Sequence, residues 1–215
     1  MQHDRVSNDA ILSAIQSSLE NAARTFELVA NVPSDPMDWA AARMPEAWVV
    51  VQLMHGLHNL GLGAFPEVRI PKDLDEEGEG ILSGARKMTG DRYESLRRKR
   101  IDLFAFDRSG HDNALVLRVA MEVKAGKSKE DFSDFAEDIE RLEALADGRG
   151  DDQLFVLAYA TFPLTVDELK KEKASIRAVL DRAKEKDWDL RVSPAANEGM
   201  HWEEGRNPYA FLICR

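Results

Sequence analysis

Two runs decide the fold: Ile101-Asp102-Leu103-Phe104-Ala105-Phe106, and Ala114-Leu115-Val116-Leu117-Arg118-Val119-Ala120-Met121-Glu122-Val123. Both are rich in Val, Ile, Leu and Phe, which predicts two strands. Asp107-Arg108-Ser109-Gly110-His111-Asp112-Asn113 lies between them, a cluster of turn formers. Strands joined this way form an antiparallel hairpin. With the turn centred near Asp112, Asp102 comes opposite Glu122. Side chains alternate faces along a strand, so Glu122 and Lys124 share one side and Val123 takes the other. Asp102, Glu122 and Lys124 are therefore expected to converge, in a register that a one-residue slip would destroy.

Facing carboxylates on paired strands repel each other. A hard divalent cation offsets that repulsion, and magnesium binds through one or two carboxylates while keeping several waters. A neighbouring lysine can align or deprotonate one of those waters, or stabilise charge on a phosphate. The metal polarises the phosphoryl oxygen and lowers the pKa of its water. These are the components of phosphodiester hydrolysis.

Ile101-Asp102-Leu103 followed by Met121-Glu122-Val123-Lys124 resembles the D…ExK core of the PD-(D/E)XK nuclease superfamily, which includes many restriction endonucleases. Ile101 stands where that family usually has proline. The resemblance spans roughly residues 45–160 and includes the order helix, strand, acid-bearing hairpin, helix, strand. It implies an α/β, restriction-endonuclease-like fold with a mixed β-sheet core flanked by helices. It also implies a metal-dependent endonuclease acting on DNA, with RNA as the alternative substrate, and a restriction or defence role by analogy alone. Asp102 and Glu122 would bind Mg2+, for which Mn2+ can substitute, and Lys124 would position the attacking water. Family members often carry an acid on the helix before the first core strand. Glu46 matches that place and is carried over as a residue of the metal shell. Cutting both strands would call for a homodimer.

ExK alone carries no weight. Glu168-Leu169-Lys170 repeats it inside a predicted helix, where residues two apart point in divergent directions. The bland reading of the first copy is an ion pair between Glu122 and Lys124 on a solvated strand edge. Against it, Val116, Leu117, Val119, Met121 and Val123 read as a central strand, where charges are rare without a partner or a task.

Outward from the hairpin, Ile11, Leu12, Ile15, Leu19, Ala22, Ala23, Phe26 and Val29 recur at helical spacing, predicting a helix over 8–30 capped by Ser7 or Asn8. Pro33 to Pro36 is a turn. A second helix is expected from Pro45 to about Leu60, with Glu46 at the positive end of its dipole and Gly61 and Gly63 stopping it. Residues 64–71 read as a strand. Residues 72–92, with Asp73, Asp75, Glu76, Glu77 and Glu79 among glycines, read as a loop or mobile insertion. Phe132, Phe135, Ile139, Leu142 and Leu145 predict a helix over roughly 129–147. Leu154–Ala160 is an apolar strand of the kind covered on both faces. Thr165–Lys186 is a charged helix, and 187–192 and 208–214 are closing strands around a loop. The chain is expected to be one domain: an N-terminal helical extension (1–44), the core (45–160), and a C-terminal helix with closing strands (161–215).

The net charge of −10 argues against nonspecific coating of nucleic acid, which needs a strongly basic face. It leaves room for a local phosphate-binding surface. Arg97, Arg98, Lys99 and Arg100 directly precede Asp102 and are candidates to hold the nucleic-acid backbone, and Lys127 and Lys129 would extend that surface. A solvated charge run is the alternative for this cluster. The single cysteine, Cys214, reads as a buried structural thiol. His55 and His58 stand three apart with no third zinc ligand in view. Trp202, beside His201 and near Arg206, could contact a base or partner. The N-terminus lacks a signal-peptide pattern and no stretch is apolar enough to span a membrane, so a cytoplasmic protein is expected. Two rivals to the nuclease reading are a catalytically inert nuclease-like module that binds nucleic acid or protein, favoured by the acidic balance, and a small-molecule hydrolase using the same carboxylates.

Overall fold

The computed structural model describes residues 5–30, 46–69, 100–108, 115–126, 133–146, 152–161, 163–182, 187–195 and 205–215. Its elements are α1 (Asn8–Ala30), α2 (Glu46–Asn59), β1 (Gly63–Arg69), β2 (Arg100–Arg108), β3 (Leu115–Ala125), α3 (Ser133–Ala146), β4 (Leu154–Ala160), α4 (Val166–Leu180), β5 (Asp189–Pro194) and β6 (Tyr209–Cys214). The fold is mixed α/β, with one six-stranded sheet in the order β1-β2-β3-β4-β6-β5. All neighbours are antiparallel except β3 and β4, which run parallel and are connected through α3. Parallel neighbours need such a crossover.

The helix ends follow local chemistry. Ser7 Oγ accepts the Ala10 N–H at 3.2 Å, capping α1. At the end of α2, Gly61 N–H donates to the His58 carbonyl at 2.9 Å, and Leu62 N–H donates to the Leu57 carbonyl at 3.1 Å. This pairing requires a left-handed residue, and Gly61 supplies it with φ +82°. Thr165 and Glu168 form a reciprocal capping box at α4, so the second ExK string is spent on a helix start.

The sheet separates two cores. On one face α1 and α2 pack over Leu103, Ala105, Val119, Met121, Val123, Val156, Ala158 and Leu212. On the other, α3 and α4 cover Phe104, Ala120, Leu157, Tyr159, Phe211 and Ile213. Cover on both faces explains why every residue of β4 is buried. The first core demands a close crossing of α1 and α2 at Gly56. A Cβ there would run into Ser18 Oγ and come within 3.3 Å of the Ala14 carbonyl oxygen. Gly56→Ala is therefore expected to destabilise the protein by about 1–3 kcal/mol despite alanine's better helix propensity. Urea melts of this variant check it, and an unchanged midpoint would show that the helices can separate without cost.

The described part of the hairpin carries one irregularity. Ala105 pairs with Val119 but Phe106 pairs with Leu117, leaving Arg118 as an extra residue on β3. A bulge re-aims its side chain. Arg118, 2% exposed, donates to the Val6 carbonyl (2.7 Å), the Asn8 side chain (3.1 Å) and the Asp152 carbonyl (3.2 Å), and pairs with Asp107. It ties the segment before α1 to the sheet. Among the described residues no helix is long and apolar enough to cross a membrane.

Candidate active site on the third strand

The register that the candidate site requires is present at that end of the hairpin. Leu103 pairs with Met121, Phe104 with Ala120 and Ala105 with Val119, the alignment expected from a turn centred near Asp112. The bulge shifts register only on the turn side of these pairs. Backbone pairing of β2 with β3 ends at Leu103, and the next donor, Val123 N–H, goes to Asp102 Oδ2 at 2.8 Å. Beyond this point β2 continues beside β1, through Ile101 to Val68, while Lys124 and Ala125 pair with β4. The sheet forks here, with the Asp102 carboxylate at the fork.

Glu122 and Lys124 are level with Leu157 and Tyr159 of β4, whose side chains belong to the α3 face; Val123 lies in the opposite core. The solvated-edge reading fails. β3 is flanked on both sides by strands, Glu122 is 1% exposed, and the Lys124 side chain is 18% exposed. The two side chains pair with α3 and not with each other. Arg141 Nε donates to Glu122 Oε1 at 2.7 Å, and Lys124 Nζ lies 2.9 Å from Asp138 Oδ2. That oxygen has no well-aligned hydrogen-bond donor, so the Lys124 contact is foremost an ion pair. Arg141 Nη2 also grips Asp138 Oδ1.

Asp138 and Arg141 escaped the sequence reading, although a signal was there. Asp138 lies three residues after Phe135 and four before Leu142, and Arg141 lies four before Leu145. Both therefore fall on the apolar stripe of the helix, where charges need partners. Asp138 is 2% exposed.

Charge is unbalanced in this cluster. Four carboxylates (Asp102, Glu122, Asp138 and Glu46) interact with two cations (Lys124 and Arg141), with Asp134 adding negative charge at the margin. Burial pushes the Glu122 carboxyl up to about 8, against the opposing pull of Arg141. Burial likewise raises Asp138, although Lys124 and Arg141 counter it. Burial alone would lower Lys124, but the contact with Asp138 and the charges of Glu46 and Asp102 hold it above the usual lysine range. Its ammonium is charged at neutral pH. Glu46 opens α2, is solvent-exposed, and senses Lys124, Asp102 and Asp138; partial desolvation and these acids raise its carboxyl.

Asp102 and Glu122 supply hard oxygen ligands, and with all four acids ionised one divalent ion would balance the excess of two negative charges. Among the described residues no three His, Cys, Asp or Glu side chains are gathered closely enough to enclose a metal. Two strand carboxylates would suit an ion that keeps most of its waters, and Arg141 holds one of them, Glu122.

The remaining candidates divide. Arg97, Arg98, Lys99, Lys127, Lys129, His201, Trp202 and the acidic stretch at 72–92 lie outside the described residues. Arg100 is described and forms an exposed ion pair with Glu67 of β1. His58 Nε2 accepts the Ala64 N–H at 3.3 Å, a role in holding the turn after α2. Cys214 is buried, and burial raises its thiol, as a structural cysteine requires.

Compared with protein-family models, curated proteins and solved structures, the chain matches none.

Proposed function

We propose that the protein is a metal-dependent nuclease of restriction-endonuclease-like type, hydrolysing phosphodiester bonds in DNA at the fork between β2 and β3. The observation that carries this reading is the gathering of Asp102, Glu122 and Lys124 where β2 and β3 part, close enough for their charges to act on one another. Central strands rarely hold such a group without a task.

Asp102 and Glu122 would hold Mg2+ or Mn2+, and Glu46 would shape the outer shell. A bound ion would supply Lewis-acid polarisation of the phosphoryl oxygen and a water of lowered pKa. The Val123 N–H fixes one oxygen of the Asp102 carboxylate, which supports a positioned ligand there. Lys124, held as an ammonium by Asp138 and the surrounding acids, would act by orienting water and stabilising phosphate charge. Asp138 aims that ammonium and keeps it charged. Backbone contacts by Arg98, Lys99 and Lys127, and assembly as a homodimer for double-strand cutting, belong to the same proposal. An inert module of this fold is the second reading, favoured by the Glu122–Arg141 ion pair, which neutralises the cluster internally in part.

Incubating the protein with supercoiled and linear DNA, and with single-stranded RNA, in Mg2+, Mn2+ or EDTA tests the proposal. Metal-dependent cutting is expected, and Lys124→Ala purified identically should lose at least about 100-fold of it, in the range of a lost electrostatic stabiliser. Equal cutting by the variant would assign the activity to a contaminant or another site. Absence of cutting on every substrate would favour the inert module.

A further inference from the structure

Resting on the reading of Asp102 and Glu122 as a divalent-cation site, we infer that Arg141 is a resident counter-ion that the metal must displace from Glu122.

Glu122 is locked in a central strand and is almost wholly buried, so it has little freedom to approach a ligand. Arg141 reaches it from α3 with a side chain that is 16% exposed, and touches it through Nε alone. Nη2 is held separately by Asp138, one helical turn earlier. The guanidinium can leave Glu122 while keeping this second hold. A divalent cation and a guanidinium on the same carboxylate repel each other, so metal entry and the Arg141–Glu122 contact oppose one another.

Once off Glu122, the guanidinium would stand beside the fork with its Nε–H released, and guanidinium pairs well with phosphate oxygens. A phosphodiester that draws Arg141 away would expose Glu122 to the metal, and the metal would release Arg141 to the phosphodiester. Metal and nucleic acid would then each tighten the other's binding, as linkage requires. Asp138 acts as the hinge post for both cations of the site.

Isothermal titration of Mn2+ into the full chain tests this without recourse to cleavage. Wild type, Arg141→Gln and Arg141→Lys are compared, each first shown to melt cooperatively. Glutamine keeps a hydrogen-bonding side chain without charge, and Arg141→Gln is expected to bind Mn2+ about tenfold tighter, a change of ~1.4 kcal/mol. Lysine cannot span Glu122 and Asp138 with one compact ammonium, so Arg141→Lys is expected between the two. If Arg141→Gln does not fold, Arg141→Lys carries the test. Binding in the variant equal to or weaker than in a metal-binding wild type would overturn the inference and leave the metal site standing. Absence of Mn2+ binding in every protein, with folding intact, would overturn both.

Discussion

Replacing Arg141 with methionine is expected to cost the metal-free protein about 3–5 kcal/mol of folding stability, measured by urea denaturation in EDTA at about pH 9, where Glu122 is ionised. Methionine approximates the length of arginine and can occupy its packing space, so the loss isolates the charge. Arg141 is the cation that contacts both Glu122 and Asp138, and both acids are almost completely buried. Among the described residues, removing it leaves them with Lys124 as the nearby compensating cation, and Lys124 contacts Asp138 rather than Glu122. A buried charge stripped of its partner retains its full desolvation penalty. Below about pH 8 Glu122 already holds its proton and needs no counter-ion, so the loss should shrink toward neutral pH. The double variant Arg141→Met, Glu122→Gln should recover most of the stability, because the neutral amide needs no counter-ion. A single variant within 1 kcal/mol of wild type, on the order of an ordinary surface change, would show that the ion pair contributes little.

Stability of the metal-free protein is expected to fall between about pH 5 and 8, and Glu122→Gln should flatten that fall. In the folded state the Glu122 carboxyl is raised from 4.5 to about 8 by burial. The folded protein therefore holds this proton more tightly than the unfolded chain. The resulting stabilisation is fully present below pH 4.5 and is lost as pH rises through 8. At ~1.4 kcal/mol per pH unit, the full swing has a ceiling of roughly 5 kcal/mol, reduced by whatever local relaxation admits water. Asp138 is raised in the same direction by burial, and its contribution has the same sign. Chemical denaturation of wild type and Glu122→Gln at intervals from pH 5 to 9 in EDTA gives the difference directly. A difference independent of pH would mean that Glu122 is ionised throughout, fully balanced by Arg141. Under the proposed function, excess Mg2+ should flatten the wild-type curve too, since the ion favours the carboxylate and binds only the folded state.

Much of the fold was legible because its determinants are local. The apolar spacing of Ile11, Ile15 and Leu19 with Ser7 before them is enough to place α1. Gly61 alone can take the left-handed turn that ends α2. The apolar runs on either side of Asp107–Asn113 place β2 and β3, and on the site's side of the bulge their register brings Asp102 toward Glu122. Alternation then puts Glu122 and Lys124 on one face. Each of these inferences uses residues within a few positions of one another, or one turn apart, where propensity and periodicity act.

Contacts between distant segments had no such local signature. Nothing in the order of the strands told that β6 would insert between β4 and β5, or that β3 and β4 would be the parallel pair. The bulge at Arg118 became visible only with the partners it reaches, Val6, Asn8 and Asp152. Most consequential is the packing of α3 against β3. The sequence by itself determined a charged trio on a hairpin, Asp102, Glu122 and Lys124. Tertiary structure decided that Glu122 would be buried and that Asp138 and Arg141 would cross from α3 to meet the trio. The physical reason is that burial removes water from these charges and makes each one's ionisation depend on partners far away in the chain.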